Sequence, residues 1–66
     1  MITFKTVISF VDPENNTVYY RNQKNEPVST SVFNFVHHKQ ALKEGQVWEV
    51  SLDELTLKII KTIFVK

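Results

Sequence analysis

The sequence predicts an all-β fold: one small domain over residues 1–66, built as a five-stranded antiparallel structure. Three observations lead there. Most of the chain falls into short segments of period-two alternation, rich in β-branched and aromatic residues. Proline- and asparagine-containing polar stretches punctuate those segments. The chain has 66 residues and no cysteine, with 42% hydrophobic and 23% charged residues, which reads as globular. A domain this short buries only ~60% of the surface its unfolded chain exposes. With no disulfide or thiolate metal site available, aliphatics and rings must supply the core.

Residues 2–11 alternate: Ile2, Phe4, Ile8 and Phe10 share one parity with Thr6, and Thr3, Lys5, Val7, Ser9 and Val11 share the other. This is the first expected strand. Asp12-Pro13-Glu14-Asn15-Asn16 is a turn, because proline presets φ and asparagine tolerates left-handed backbone. Thr17–Arg21 is the second strand, antiparallel to the first. Asn22 to Pro27 is a polar loop. Val28 to His37 is the expected third strand, opening with three Ser or Thr residues. His38 to Glu44 is a helical turn or an irregular connection, ended by Gly45, the only glycine and a natural site for positive φ. In Gln46–Leu52, the fourth strand, Trp48, Val50 and Leu52 share the core face.

Residues 54–65 admit two readings. Ser51-Leu52-Asp53-Glu54 fits a capping box, and Leu55, Ile59 and Ile63 recur at helical spacing. A sheet with a C-terminal helix is therefore the alternative architecture. Thr56, Ile59, Ile60, Thr62, Ile63 and Val65 are β-branched and lose rotamer freedom in a helix, which favours a fifth strand joined through a hairpin at Asp53-Glu54. In that strand Leu57, Ile59, Ile63 and Val65 share a face interrupted by Lys61.

The break between the third and fourth strands carries the most distinctive residues. Val32-Phe33-Asn34-Phe35-Val36-His37-His38 resembles the third strand of cold-shock proteins, where a Val-Phe-Val-His-Phe motif carries base-stacking rings. Leu42-Lys43-Glu44-Gly45-Gln46-Val47-Trp48-Glu49-Val50 is similar to the Leu-x-Glu-Gly-Gln-x-Val-x-Phe segment of that family; S1-type RNA-binding domains have a comparable glycine-containing entry. The resemblance covers residues 32–50. It implies a Greek-key barrel of five strands, the OB-fold, and nucleic-acid binding. The sequence departs from the family on the second strand. Asn16-Thr17-Val18-Tyr19-Tyr20-Arg21 stands where a Lys-Gly-Phe-Gly-Phe-Ile motif is expected, and Phe10-Val11 replaces a Trp-Phe pair.

If Val32 and Val36 point inward, strand geometry turns Phe33, Phe35 and His37 outward together. Exposed rings serve as stacking platforms for bases or as anchors for a protein partner. Tyr19 and Arg21 share a strand face, so a base on Tyr19 would leave Arg21 for a phosphate. Lys5 and Lys39 flank the patch if the barrel forms. The expected nucleic-acid site is therefore Lys5, Tyr19, Arg21, Phe33, Phe35, His37 and Lys39. Each has a plainer reading: buried phenylalanines, an ordinary cross-strand tyrosine, a solvated arginine and lysines spread over the surface.

The formal net charge of +1 argues against a strongly basic clamp and a polybasic membrane anchor. No apolar run approaches the ~20 residues that span a bilayer, and no secretory signal is visible, so a cytoplasmic address is expected. His37 and His38 point opposite ways on a strand and find no cysteine, so no metal is expected. No cofactor motif and no catalytic constellation is present, so the chain is not expected to be an enzyme. The expected function is binding of single-stranded RNA or DNA through an aromatic and basic strand surface. The alternative is a small protein-binding module or inhibitor of the phage or mobile-element type, monomeric or a homodimer through the aromatic face.

Overall fold

The computed structural model describes all 66 residues. It is all-β, with six strands in two three-stranded antiparallel sheets. They are β1 (Ile2–Val7), β2 (Phe10–Asp12), β3 (Thr17–Arg21), β4 (Pro27–Ser31), β5 (Val47–Leu52) and β6 (Ile59–Phe64). One sheet runs β1-β5-β6 and the other β2-β3-β4. The sheets do not close into a barrel, because β4 and β6 are not hydrogen-bonded neighbours. No C-terminal helix forms, and no helix is long and apolar enough to cross a membrane.

The first expected strand is divided by a bend at Ile8-Ser9, and ladder bonds run through it. The Ile8 N–H donates to the Gln46 carbonyl in one sheet and the Ser9 N–H to the Tyr19 carbonyl in the other, each at 2.9 Å. The bend also exchanges faces. Thr6 and Ile8 are buried on one parity, but beyond Ser9 it is Val11 that packs on the core and Phe10, of the Ile8 parity, that turns out.

Ile8, Val18, Tyr20, Phe35, Trp48, Val50 and Leu52 form the buried core. Rings thread it in a continuous chain: Phe4 to Tyr20 at 6.5 Å, Tyr20 to Phe35 at 5.7 Å, Phe35 to Trp48 at 5.2 Å and Trp48 to Phe64 at 5.5 Å between centroids. The last three are edge-on, the arrangement ring quadrupoles favour. The Trp48 indole N–H donates to Gln46 Oε1, so the largest buried ring leaves no orphaned donor.

The expected third strand ends six residues early. Its Ser and Thr residues close β4 rather than open a longer strand. Ser31 caps a 3₁₀ turn over Val32–Asn34: its hydroxyl accepts the Phe33 N–H, and the Phe35 N–H donates to the Val32 carbonyl. A 3₁₀ turn does not alternate sides as a strand does. The shared outward face of Phe33, Phe35 and His37 is thereby overturned. Phe33 is 72% exposed while Phe35 is 4% exposed, in the middle of the ring chain. His37 is half-buried, its ring 4.8 Å from Phe64.

The C-terminal segment is a strand, but its face pattern slips. Ser51 pairs with Lys61 while Leu52 pairs with Ile59, so Ile60 is an extra residue in a bulge. Ile59 packs on the core, and after the bulge the inward positions are Thr62 and Phe64. Ile63, expected beside Ile59, lies on the other face and is partly exposed.

Asp53 organises the turn into β6. Its Oδ1 accepts the Leu55 and Thr56 N–H groups at 2.8 and 3.0 Å, and its carbonyl accepts the Leu57 N–H at 2.8 Å. The Thr56 and then the Leu55 amide hold the Asp53 carboxyl below its usual pKa. Glu54 is lowered likewise by hydrogen bonding to the Met1 amino group. Such groups stabilise the fold above their unfolded pKa, and the contribution disappears as pH falls through the lower folded value. Urea midpoints should therefore be flat above about pH 5 and fall below about pH 4, near the ordinary Asp and Glu values. Asp53→Asn should flatten part of that fall.

The same turn holds Leu57 at φ 60°, a left-handed conformation that costs a side chain with a Cβ ~1–2 kcal/mol. Leu57 is more than half exposed, so a smaller residue gives up little burial. Leu57→Gly should raise stability by about 0.5–1 kcal/mol, the strain relieved less the entropy glycine loses on folding. A higher urea midpoint would show it.

Candidate nucleic-acid interface

The outer face of β2-β3-β4 is built by the Asp12–Asn16 turn. Asn16 takes φ 51°, and the Asn15 side-chain amide donates to Asp12 Oδ2 at 2.7 Å. The turn sets the register Asp12 to Thr17, Val11 to Val18 and Phe10 to Tyr19. Val18 is sealed in the core, so its neighbours in the pattern, Phe10 and Tyr19, face water as a directly opposed pair. Their ring centroids lie 5.9 Å apart with planes tilted by 44°. Phe10 is 49% and Tyr19 40% exposed, high for rings that already shield one another.

Arg21 lies two residues beyond Tyr19 on the same face. One guanidinium nitrogen donates to the Asn25 carbonyl at 2.9 Å, which fixes the side chain and leaves other donors open. The Asn22–Glu26 loop supporting it is internally tied: Asn22 Oδ1 accepts the Lys24 and Glu26 N–H groups, and Asn25 sits at φ 62°. Lys5 on β1 and Arg21 line one shallow cleft of about 360 Å³ with Val7, Ser9, Asn22 and Asn25. Lys5 faces out beside Glu49 of β5, its register partner. The tilted ring pair thus neighbours, through Ser9 and Arg21, a polar cleft lined by two cations. The acidic neighbours are Asp12, whose carboxylate is engaged by Asn15, and Glu49 beside Lys5.

Of the residues expected from the sequence, Lys5 and Arg21 share a cleft, and Tyr19 lies on the same strand face two residues from Arg21. Phe33 is exposed on the 3₁₀ turn, away from any other ring. Phe35 is enclosed and has no surface to offer a base. His37 lies against Phe64, its Nδ1 accepting the Lys39 N–H at 3.2 Å, and Lys39 is exposed on the same connection. The single surface expected from residues 32–39 is therefore divided between core, turn and connection. Phe10 was not expected there. Counting ladder partners back from the Asp12–Asn16 turn would have set it opposite Tyr19, whereas parity along one unbroken strand grouped it with Ile8.

No protein-family model matches the chain, and no curated protein or solved structure matches it significantly.

Proposed function

We propose that this domain binds single-stranded nucleic acid across the outer face of β2 and β3. Bases would stack on the Phe10–Tyr19 pair, and phosphates would meet Arg21 and Lys5. The observation that carries this reading is the exposed Phe10–Tyr19 pair on strands whose next outward residues, Ser9 and Arg21, line a cleft with two cations. Aromatic faces accept any base, and a guanidinium beside them takes the backbone in bidentate fashion. The bend at Ile8-Ser9 adds support, since one bent strand serving two sheets is how an OB-like barrel of five strands begins. Counting β1 and β2 as that strand reduces six to five, and the reading then includes an OB-like strand order for the fold.

Titration of a fluorescein-labelled thymidine oligonucleotide at low and high salt tests it. The expected result is saturable binding with a salt slope of roughly −1.4, the value for two neutralised phosphates on a single strand. No binding at high-micromolar protein and low salt would sink the reading. The competing class, a protein-binding module or a homodimer, rests on the isolated Phe33 ring, 72% exposed. It predicts instead a concentration-dependent dimer lost in Phe33→Ala, with no oligonucleotide binding.

A further inference from the structure

The gap between the two sheets has its own chemistry, separate from the outer face. At one end the gap is bridged: Thr62 Oγ1 donates to the Asn34 carbonyl, and His37 lies on Phe64. At the other end it opens as a groove of about 600 Å³ between Val28–Thr30 of β4 and Lys58-Ile59 at the start of β6. Tyr20, Val28, Leu52 and Ile59 form an apolar floor, and Lys24 and Lys58 stand among its polar lining residues. Glu26 also lines it, but its carboxylate accepts the Asn22 amide at 3.0 Å.

The walls are two unsatisfied strand edges. Residues of an antiparallel strand address alternate neighbours with their N–H and C=O groups. Tyr19 accepts from Ser9 and so addresses β2, which leaves Val18 and Tyr20 addressing β4 through Thr30 and Val28. The backbone of Ser29, between those two, points into the gap. Gln46 accepts from Ile8, so Leu52, on the same alternation, addresses β1. Its partner Ile59 then turns its backbone toward the gap from the opposite side. Unpaired edges recruit strands, and a gap bordered by two of them can bond one guest on both sides.

We propose that this groove takes a short extended polypeptide segment as an added strand, bonded to Ser29 on one side and Ile59 on the other. Alternation in the guest would seat apolar side chains on the Tyr20, Val28, Leu52 and Ile59 floor. The lysines select carboxylates for the outward positions, so the guest is acidic and apolar in alternation.

The probe is a blocked heptapeptide alternating valine and glutamate, with its valine–lysine counterpart as control, titrated into ¹⁵N-labelled protein. Expected are saturable amide shifts at Ser29, Thr30 and Ile59, slowed hydrogen exchange at Ser29 and Ile59, and much weaker shifts from the lysine peptide. Lys24→Glu with Lys58→Glu should weaken binding about tenfold, ~1.4 kcal/mol. Ser29→Pro removes only an edge amide, which a sheet tolerates; it should keep the native spectrum and lose the peptide. Tyr19→Ala should change nothing, which separates this site from the outer face. No saturable shift at millimolar peptide, equal binding of the lysine peptide, or shifts confined to the outer face would each overturn the proposal. Should Ser29→Pro unfold the domain, the double lysine variant decides alone: unchanged affinity overturns, and the tenfold loss supports.

Discussion

Replacing Phe35 with alanine should cost about 3–5 kcal/mol, while the same change at Phe33, two residues away, should stay within about 0.5 kcal/mol. Phe35 sits between Tyr20 and Trp48 in the ring chain, at 5.7 and 5.2 Å, and is only 4% exposed. Its removal opens a cavity where both sheets meet, and neither sheet can follow the void without giving up ladder bonds. A domain of 66 residues commands roughly 3–10 kcal/mol in total at ~0.05–0.15 kcal/mol per residue. Phe35→Ala should therefore leave a partly or wholly unfolded population at room temperature. Phe33, largely in water, has little burial to lose. Urea denaturation followed by Trp48 fluorescence reads both variants. Equal loss at the two positions would mean that Phe33 and Phe35 share one buried strand face.

The second large effect concerns the outer face. Truncating Tyr19 or Phe10 should each cost oligonucleotide binding ~1–3 kcal/mol, the usual worth of one base stacked on one ring. The double variant should lose less than the sum of the singles, because the rings touch and position each other. Neither ring belongs to the buried core, so thermal stability should fall by much less than for Phe35→Ala. Arg21→Ala should act differently, lowering affinity and flattening the salt dependence together as a phosphate contact is removed. Full binding by the double variant would remove the case for this surface, whatever the affinity of the parent protein.

Much of the fold was legible because strand chemistry is local. Thr17–Arg21 alternates between sheet faces as its β-branched and aromatic residues announce, and Trp48, Val50 and Leu52 are all buried on one face as expected. Gly45, with φ 86°, is where the lone glycine belonged. The departures share a cause: each follows a place where one residue breaks the period-two count. The bend at Ser9 sends Phe10 outward. Ser31 caps a turn in a stretch whose valines and phenylalanines read as strand. The bulge at Ile60 moves Thr62 and Phe64 to the core side in place of Ile63. Parity is carried by the backbone, and these breaks depend on hydrogen bonds to partners far along the chain or on one serine hydroxyl. Of the site, Tyr19 and Arg21 were readable because they lie on one uninterrupted strand. Phe10 was hidden beyond a bend, and Phe35 was misassigned beyond a cap.

The bend at Ile8-Ser9 also determines how the molecule can come apart. A single run of backbone is the outer member of both sheets, with its hinge residue Ile8 only 1% exposed. Peeling Ile2–Val7 from one layer drags that plug from between them and strips an edge from the other. Neither layer is a fragment that can persist alone, so loss of structure should run through the whole chain in one concerted step, with no half-folded survivor to trap.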